Sequence, residues 1–213
     1  MPNALLIDLG NVLVQFDHGR TLRTIASAAG VADPESLRAA VFGRNEREFD
    51  RGRLDAPSFF RAVERDAGLP PLPDEIWGPA WRDIFEPIPE ALALLAELRP
   101  DVRTCLVSNT NQLHWEGVRA VCNVASRVDA LALSFEVGLV KPDPALFRYA
   151  LNLVGAAPGQ ALFVDDRPDY VEAAQALGID GLAVTSPAVL EEGLRLRGLL
   201  RDFHSPQSGV RTY

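Results

Sequence analysis

The chain has 213 residues, 47% hydrophobic, 23% charged and 8% aromatic, which is ordinary globular composition and excludes a disordered or fibrous protein. Lys+Arg 21 against Asp+Glu 29 give a formal net charge of −8, a poor match for nucleic acid or an anionic membrane. Apolar runs such as Ala4 to Leu6 and Leu92 to Ala96 are far too short to span a bilayer, and the N-terminus lacks a basic, signal-like pattern. Two cysteines, Cys105 and Cys122, cannot staple a domain of this size, so the expected setting is a reducing cytoplasm.

In chain order, Ala4-Leu5-Leu6-Ile7 is a continuous apolar run of the kind a buried parallel strand needs, and it stops at Asp8. Val12-Leu13-Val14 resumes the apolar character. From about Asp17 to Pro87 the texture becomes helical and strand-like runs are absent. Leu22, Ile25, Ala26 and Ala29 share one face, and Phe59, Phe60, Val63 and Ala67 another. Asp33-Pro34 and Asp55-Ala56-Pro57 read as N-caps followed by a proline in the first turn.

After Pro89 helix and strand alternate. A helix is expected over 90–98, a strand over 104–107, a helix over 112–121 and a short strand over 130–134. A helix capped by Asp143 follows to Val154. Then come a strand over 161–164, a helix over 168–177, a strand over 181–184 and a helix over 187–200. Repeated strand–helix units predict an α/β fold, a parallel sheet with helices on both faces. The expected division is a core of 1–16 and 88–201, an inserted all-helical domain of 17–87, and a frayed tail of 202–213.

Ligands of such sheets sit outside the carboxyl ends of the strands. Asp8 follows the first run, Ser108-Asn109-Thr110 the second, and Asp165-Asp166 the fourth, with Lys141 beyond the strand between them. Asp8 is either a turn cap or a nucleophile able to form a covalent acyl intermediate. Helix capping accounts for one of Asp165 and Asp166, but two adjacent acids repel unless a cation lies between them. With Asp8 they make the oxygen-rich cluster that Mg²⁺ prefers. Ser108, a hydroxyl at a strand end, is placed to hold a phosphate oxygen. Of the 21 basic residues 20 are Arg and only Lys141 is Lys. A chain that uses Arg wherever any cation serves keeps Lys where a compact ammonium is required.

These residues in this order resemble the haloacid dehalogenase-like hydrolase superfamily, from Asp8 to about Val184. The four motifs are Ile7-Asp8-Leu9-Gly10-Asn11-Val12, Ser108-Asn109-Thr110-Asn111, Lys141-Pro142-Asp143-Pro144 and Phe163-Val164-Asp165-Asp166. Phe49-Asp50-Arg51-Gly52, in the stretch that matches a helical cap, also looks family-like. The resemblance implies a Rossmann-like core and hydrolysis of a small phosphorylated metabolite through an aspartyl-phosphate on Asp8. Ser108, Asn109 and Lys141 would bind the phosphate, and Mg²⁺ would be held by Asp8, the Gly10 backbone carbonyl and Asp166. Asp165 would act through water or on Lys141. In motif style the chain is most similar to bacterial sugar-phosphate phosphatases acting on α-glucose 1-phosphate.

The chain departs from the family pattern at Gly10, where most family phosphatases carry an Asp that serves as acid and base. Loss of such a group typically costs ~10²–10⁴ in rate. Either the substrate oxygen leaves easily, as from a sugar 1-phosphate, or another group or water supplies the proton, or the protein binds phosphate without turning it over. A metal-free dehalogenase is a further reading, although it has no use for the acidic pair. Among Arg20, Arg44, Arg47, Arg51 and Arg53, solvated helix faces account for most. Trp77 and Trp81 read as core of the helical stretch, and His18, His114 and His204 share no ligand spacing.

Overall fold

The apolar runs pair as one sheet in the computed structural model, which describes residues 1–201; the expected tail lies outside the described residues. The chain opens with β1 (Ala4–Ile7) and β2 (Val14–Phe16). Five helices follow, α1 (His18–Ala29), α2 (Arg38–Val41), α3 (Arg44–Asp50), α4 (Ala56–Ala67) and α5 (Asp74–Arg82), with a 3₁₀ turn over Pro34–Leu37. The chain continues through β3 (Phe85–Pro87), α6 (Pro89–Glu97), β4 (Arg103–Ser108) and α7 (Gln112–Val121). Next come β5 (Ala130–Leu133), α8 (Ser134–Val137) and α9 (Pro144–Val154). The last elements are β6 (Ala161–Asp165), α10 (Pro168–Gln175), β7 (Asp180–Ala183) and α11 (Pro187–Leu196).

The main sheet has the order β5-β4-β1-β6-β7, and every neighbouring pair is parallel. The expected α/β core is therefore present. The chain winds from β1 to β4 and β5 on one side, then crosses to β6 and β7 on the other, so its direction reverses at β1. Crevices at such reversals are where open α/β sheets bind ligands. Side chains alternate along β1. Leu5 and Ile7 pack with Leu92, Trp115 and Leu190 of the helices on one face, while Ala4 and Leu6 pack with Leu146, Phe147 and Val171 on the other. Burial of both faces is why the strands read as unbroken apolar runs.

Helices α1 to α5 bury a separate cluster around Ile25, Phe59, Trp77 and Trp81. Asp55 caps α4 by accepting from the Ser58 N–H, and Asp33 caps the 3₁₀ turn from Glu35. Leu113 of α7 joins this cluster, so the helical insert and the sheet core are not independent.

Two expectations need correction, and one element was not expected. Phe85–Pro87 is a strand within the stretch read as strandless, pairing antiparallel with β2 through Val14↔Pro87, Gln15↔Glu86 and Phe16↔Phe85. Three residues carry too little alternation to announce a strand, and Pro87 fits only because a two-stranded ribbon has free edges. The one-turn helix α8 had no signal of its own. The final helix ends at Leu196 instead of Leu200, because Gly198 turns left-handed at φ 65° and Leu200 bridges to Leu98. Among the described residues no helix is long and apolar enough to cross a membrane.

The α3 segment is pinned to the sheet core by Gly52, at φ 66° two residues past its end, where an added Cβ would run into the Phe135 carbonyl of α8. Gly52→Ala should cost roughly 1–2 kcal/mol from the left-handed backbone alone, and the contact adds to it by lifting α3. The urea midpoint should fall accordingly; an unchanged midpoint would show that α3 is not held there.

Candidate active site

The pairing register brings the carboxyl ends of three strands together. Ile7 lies opposite Leu106 of β4 and Val164 of β6, so Asp8 is level with Asp165 and one step short of Ser108. Lys141 arrives from a loop after α8 and is fastened by the Asn109 amide: Asn109 Oδ1 accepts from the Lys141 N–H (2.7 Å) and Asn109 Nδ2 donates to the Lys141 carbonyl (3.0 Å). With its backbone held, the Lys141 ammonium donates to Asp8 Oδ1 and to Asp165 Oδ2, each at 2.6 Å. It is 3% exposed.

Burial would lower the Lys141 pKa, but the Asp8 and Asp165 charges outweigh it and hold the ammonium above its ordinary value. Burial raises Asp8, against the pull of Lys141, and the nearby Asp166 charge raises it further. Asp165 is pushed up to about 7 by burial and by Asp8, again against Lys141. The site is thus short of positive charge. Asp8, Asp165 and Asp166 each offer an oxygen, all within 4.8 Å of one another. Asp165 has both oxygens engaged, one on Lys141 and one accepting from the Arg167 N–H (2.9 Å). Asp166 accepts from Asn11 Nδ2 at 2.9 Å. Asn11 itself sits at φ 55°, a conformation Asn tolerates. The Gly10 carbonyl accepts no hydrogen bond among the described residues. Asp8, Asp166 and this carbonyl are all-oxygen donors beside uncompensated negative charge, and that set fits a hard divalent cation.

Above this floor lies a cavity of about 590 Å³. Asp8, Gly10, Ser108, Asn109, Lys141, Asp165 and Asp166 all line it, so the structure gathers every residue singled out for the site. The Asn109 side chain is committed to the Lys141 backbone, which leaves the Ser108 hydroxyl and nearby backbone amides as the groups free to meet an anion. Phe16, His18, Phe85 and His114 form the walls, and Glu46, Arg47, Asp50 and Arg51 the roof. Arg20, Arg44 and Arg53 stay out of the lining, as do Trp77 and Trp81, both fully buried in the helical core.

Asp50 lies in the family-like segment Phe49-Asp50-Arg51-Gly52, but Glu46 and a place for the two histidines in the cavity were not expected from the sequence. Glu46 and Asp50 are one helical turn apart, but nothing local says that their face meets the sheet edge. Asn111, the N-cap of α7, donates to Asp50 Oδ1 (2.9 Å) and so ties the roof to the core. Its amide nitrogen also lies 3.1 Å from His114 Nδ1, which places the His114 proton on Nε2. His114 stacks on Trp81 (5.1 Å) and His18 on Phe42 (4.1 Å). Burial pushes His114 down to about 3, helped by His18, and pushes His18 down to about 4, so both rings are neutral at pH 7. Cys105 lies outside the lining, and burial pushes its thiol up to about 12.

The departure at Gly10 has a steric counterpart. A Cβ at Gly10 would lie 2.9 Å from Phe16 Cε1, so an aspartate there requires the ring to move. Phe16 is held between His18 (4.7 Å) and Phe85 (6.2 Å).

Known proteins resemble this chain along most of its length. The family described as haloacid dehalogenase-like hydrolase matches residues 2–178. The D-ribitol-5-phosphate phosphatase of Bacteroides thetaiotaomicron is 24% identical over 192 residues, covering 84% of this chain and 90% of that protein. The sesquiterpene phosphatase of Aspergillus oryzae is 24% identical over 183 residues, covering 85% and 89%. A crystal structure of a family enzyme from B. thetaiotaomicron, in complex with magnesium and inorganic phosphate, superposes with a TM-score of 0.75 at 26% identity, covering 86% of this chain and 94% of that one.

The buried histidine makes a measurable prediction. His114 has a folded pKa below its unfolded value of about 6.5, so its neutral form is favoured by folding. The unfolded chain binds its proton first, and stability is lost as pH falls below about 6.5. At pH 5 this one group should cost about 2 kcal/mol. The stability difference between the wild type and His114→Phe should shrink by that amount between pH 7 and pH 5 in denaturant titrations. A constant difference would mean that His114 is solvated in the folded state.

Proposed function

The chain belongs to the haloacid dehalogenase-like hydrolases and is a phosphatase of that family, and we propose that it hydrolyses a small sugar or polyol phosphate with Mg²⁺, through a phosphoryl group carried on Asp8. The observation that carries this reading is the Lys141 ammonium, buried and shared at 2.6 Å between Asp8 and Asp165, with Asp166 beside them. It leaves one Asp8 oxygen free to attack while the other stays neutralised.

In this scheme Lys141 and the Ser108 hydroxyl hold the phosphoryl oxygens, and Asn109 keeps Lys141 in place. Asp8 attacks phosphorus in line with the departing oxygen. Asp165 acts on Lys141, fixing its ammonium, while Asp8, the Gly10 carbonyl and Asp166 would hold the Mg²⁺. When bound, the metal neutralises the phosphoryl charge and the carboxylates around it. The helical segment 17–87 acts as a cap that closes over the leaving group and excludes water. The relatives whose names specify phosphorylated small molecules support this substrate class. A dehalogenase reading suits the site less well, because a cation-free site would leave Asp8, Asp165 and Asp166 with a single ammonium among them.

The direct test is release of phosphate from an activated aryl phosphate. It should require Mg²⁺, and Asp8→Asn should abolish it with the fold intact by circular dichroism. Turnover that survives exhaustive chelation, or near-wild-type turnover in Asp8→Asn, would refute the mechanism.

Lys141→Arg tests the lone lysine. A planar fork is too broad for a point between two carboxylates and a phosphoryl oxygen, so kcat/KM should fall on the order of 10²-fold or more, the loss expected for one preorganised donor. Retention of most of the wild-type kcat/KM would show that any cation serves there.

A further inference from the structure

In-line attack fixes where the leaving group goes. Asp8, at the sheet edge, and Glu46 and Asp50 of α3, in the helical insert, line the same cavity, and the departing oxygen leaves on the side away from Asp8. An alkyl oxygen leaves poorly as an anion and needs a proton. The acids of the floor are already committed: Asp8 attacks, Asp166 accepts from Asn11 beside the metal position, and Asp169 is paired with Arg167. Gly10 lacks a side chain and Phe16 fills the space beside it. Lys141 is bound to two carboxylates, and both Asp165 oxygens are engaged.

The roof does have a free acid. We infer that Glu46 of α3 is the general acid for the leaving group and then the general base for water, an assignment that rests on the phosphatase reading. Glu46 lines the cavity, and its carboxyl makes no hydrogen bond or ion pair among the described residues. Glu48, two residues on, is by contrast paired with Arg53. Asp50, one turn along the same face, is held by the Asn111 amide. Burial, and the Asp50 charge, push Glu46 up to about 8 against the pull of Arg47. Burial pushes Asp50 to about 6, against the Asn111 hydrogen bond and Arg51. Two acids whose environments separate them in this way divide the roles: Asp50 carries charge at neutral pH and Glu46 a proton.

The steps balance. As Asp8 Oδ bonds to phosphorus, the bond from phosphorus to the substrate oxygen breaks. The Glu46 proton passes to that oxygen, so a neutral alcohol departs and Glu46 becomes a carboxylate. Water enters from the vacated side and loses one proton to Glu46 as its oxygen bonds to phosphorus. The bond to Asp8 breaks, phosphate is freed, and both side chains return to their starting states.

The experiment compares wild type, Glu46→Gln and Glu46→Asp on phosphate esters graded by leaving-group pKa, from nitrophenyl to primary alkyl, with Mg²⁺ present. Glu46→Gln should lose only a few-fold on the nitrophenyl ester and on the order of 10²-fold or more on the alkyl ester. Its rates should fall steeply with leaving-group pKa where the wild type varies little, and Glu46→Asp should recover part of the loss. If Glu46→Gln is unstable in a thermal melt, added formate should restore alkyl ester turnover to Glu46→Ala. Equal loss across the series, parallel slopes in the two proteins, or absence of both rescues would overturn the assignment. A wild type that releases no phosphate from any ester is a different result, and it removes the phosphatase reading itself.

Discussion

The ammonium of Lys141 is the interaction on which the arrangement of the site depends. Three carboxylates converge at one sheet edge, two of them buried, and their mutual repulsion would push the strand ends apart without a countercharge. One ammonium, placed by two hydrogen bonds between the Asn109 amide and the Lys141 backbone, satisfies Asp8 and Asp165 together. Removing one partner of such a buried pair commonly costs about 3–5 kcal/mol, because the other charge is left stranded. The pair permits the carboxylates to be buried, and under the proposed mechanism the same contact holds Asp8 for reaction.

The division of labour follows from how the chain is folded around that point. Parallel strands supply a rigid floor whose geometry is set by backbone pairing, suited to the phosphoryl group, which all phosphate esters share. The helical insert supplies the other lining of the cavity, the side that the proposed mechanism gives to the variable part of a substrate. The two halves are tied by short contacts: Asn111 to Asp50, Gly52 against Phe135, and Leu113 within the insert's own apolar cluster. These ties bring charged groups of α3 over the site and leave enough volume for a small metabolite.

The walls give the cavity its dielectric character. Phe16, Phe85 and two neutral histidines surround the place where the leaving group would sit, so charges there are poorly screened. In that setting burial, and the Asp50 charge, raise the Glu46 carboxyl above its ordinary range. The absence of a side chain at Gly10 and the presence of a ring at Phe16 are complementary, since the two positions cannot both be filled without rearrangement.

Much of this was legible in the sequence, for a physical reason. Strands buried on both faces must be apolar throughout, so Ala4–Ile7, Arg103–Ser108 and Ala161–Asp165 announced themselves, and the polar residue ending each one marked the sheet edge. A single lysine among 20 arginines stood out by composition alone. Other features had no local signal. The β2–β3 ribbon joins segments about seventy residues apart by three pairs, and neither segment needs to be a strand without the other. Glu46 and Asp50 form an ordinary acidic face of a short helix until packing sets it against the cavity, and the histidines lose their charge only because burial surrounds them. Local patterning determined the strands of the parallel sheet, most of the helices and the residues at the strand ends. Tertiary packing alone decided which distant groups share the cavity, and with it their protonation, because both depend on burial by residues remote in sequence.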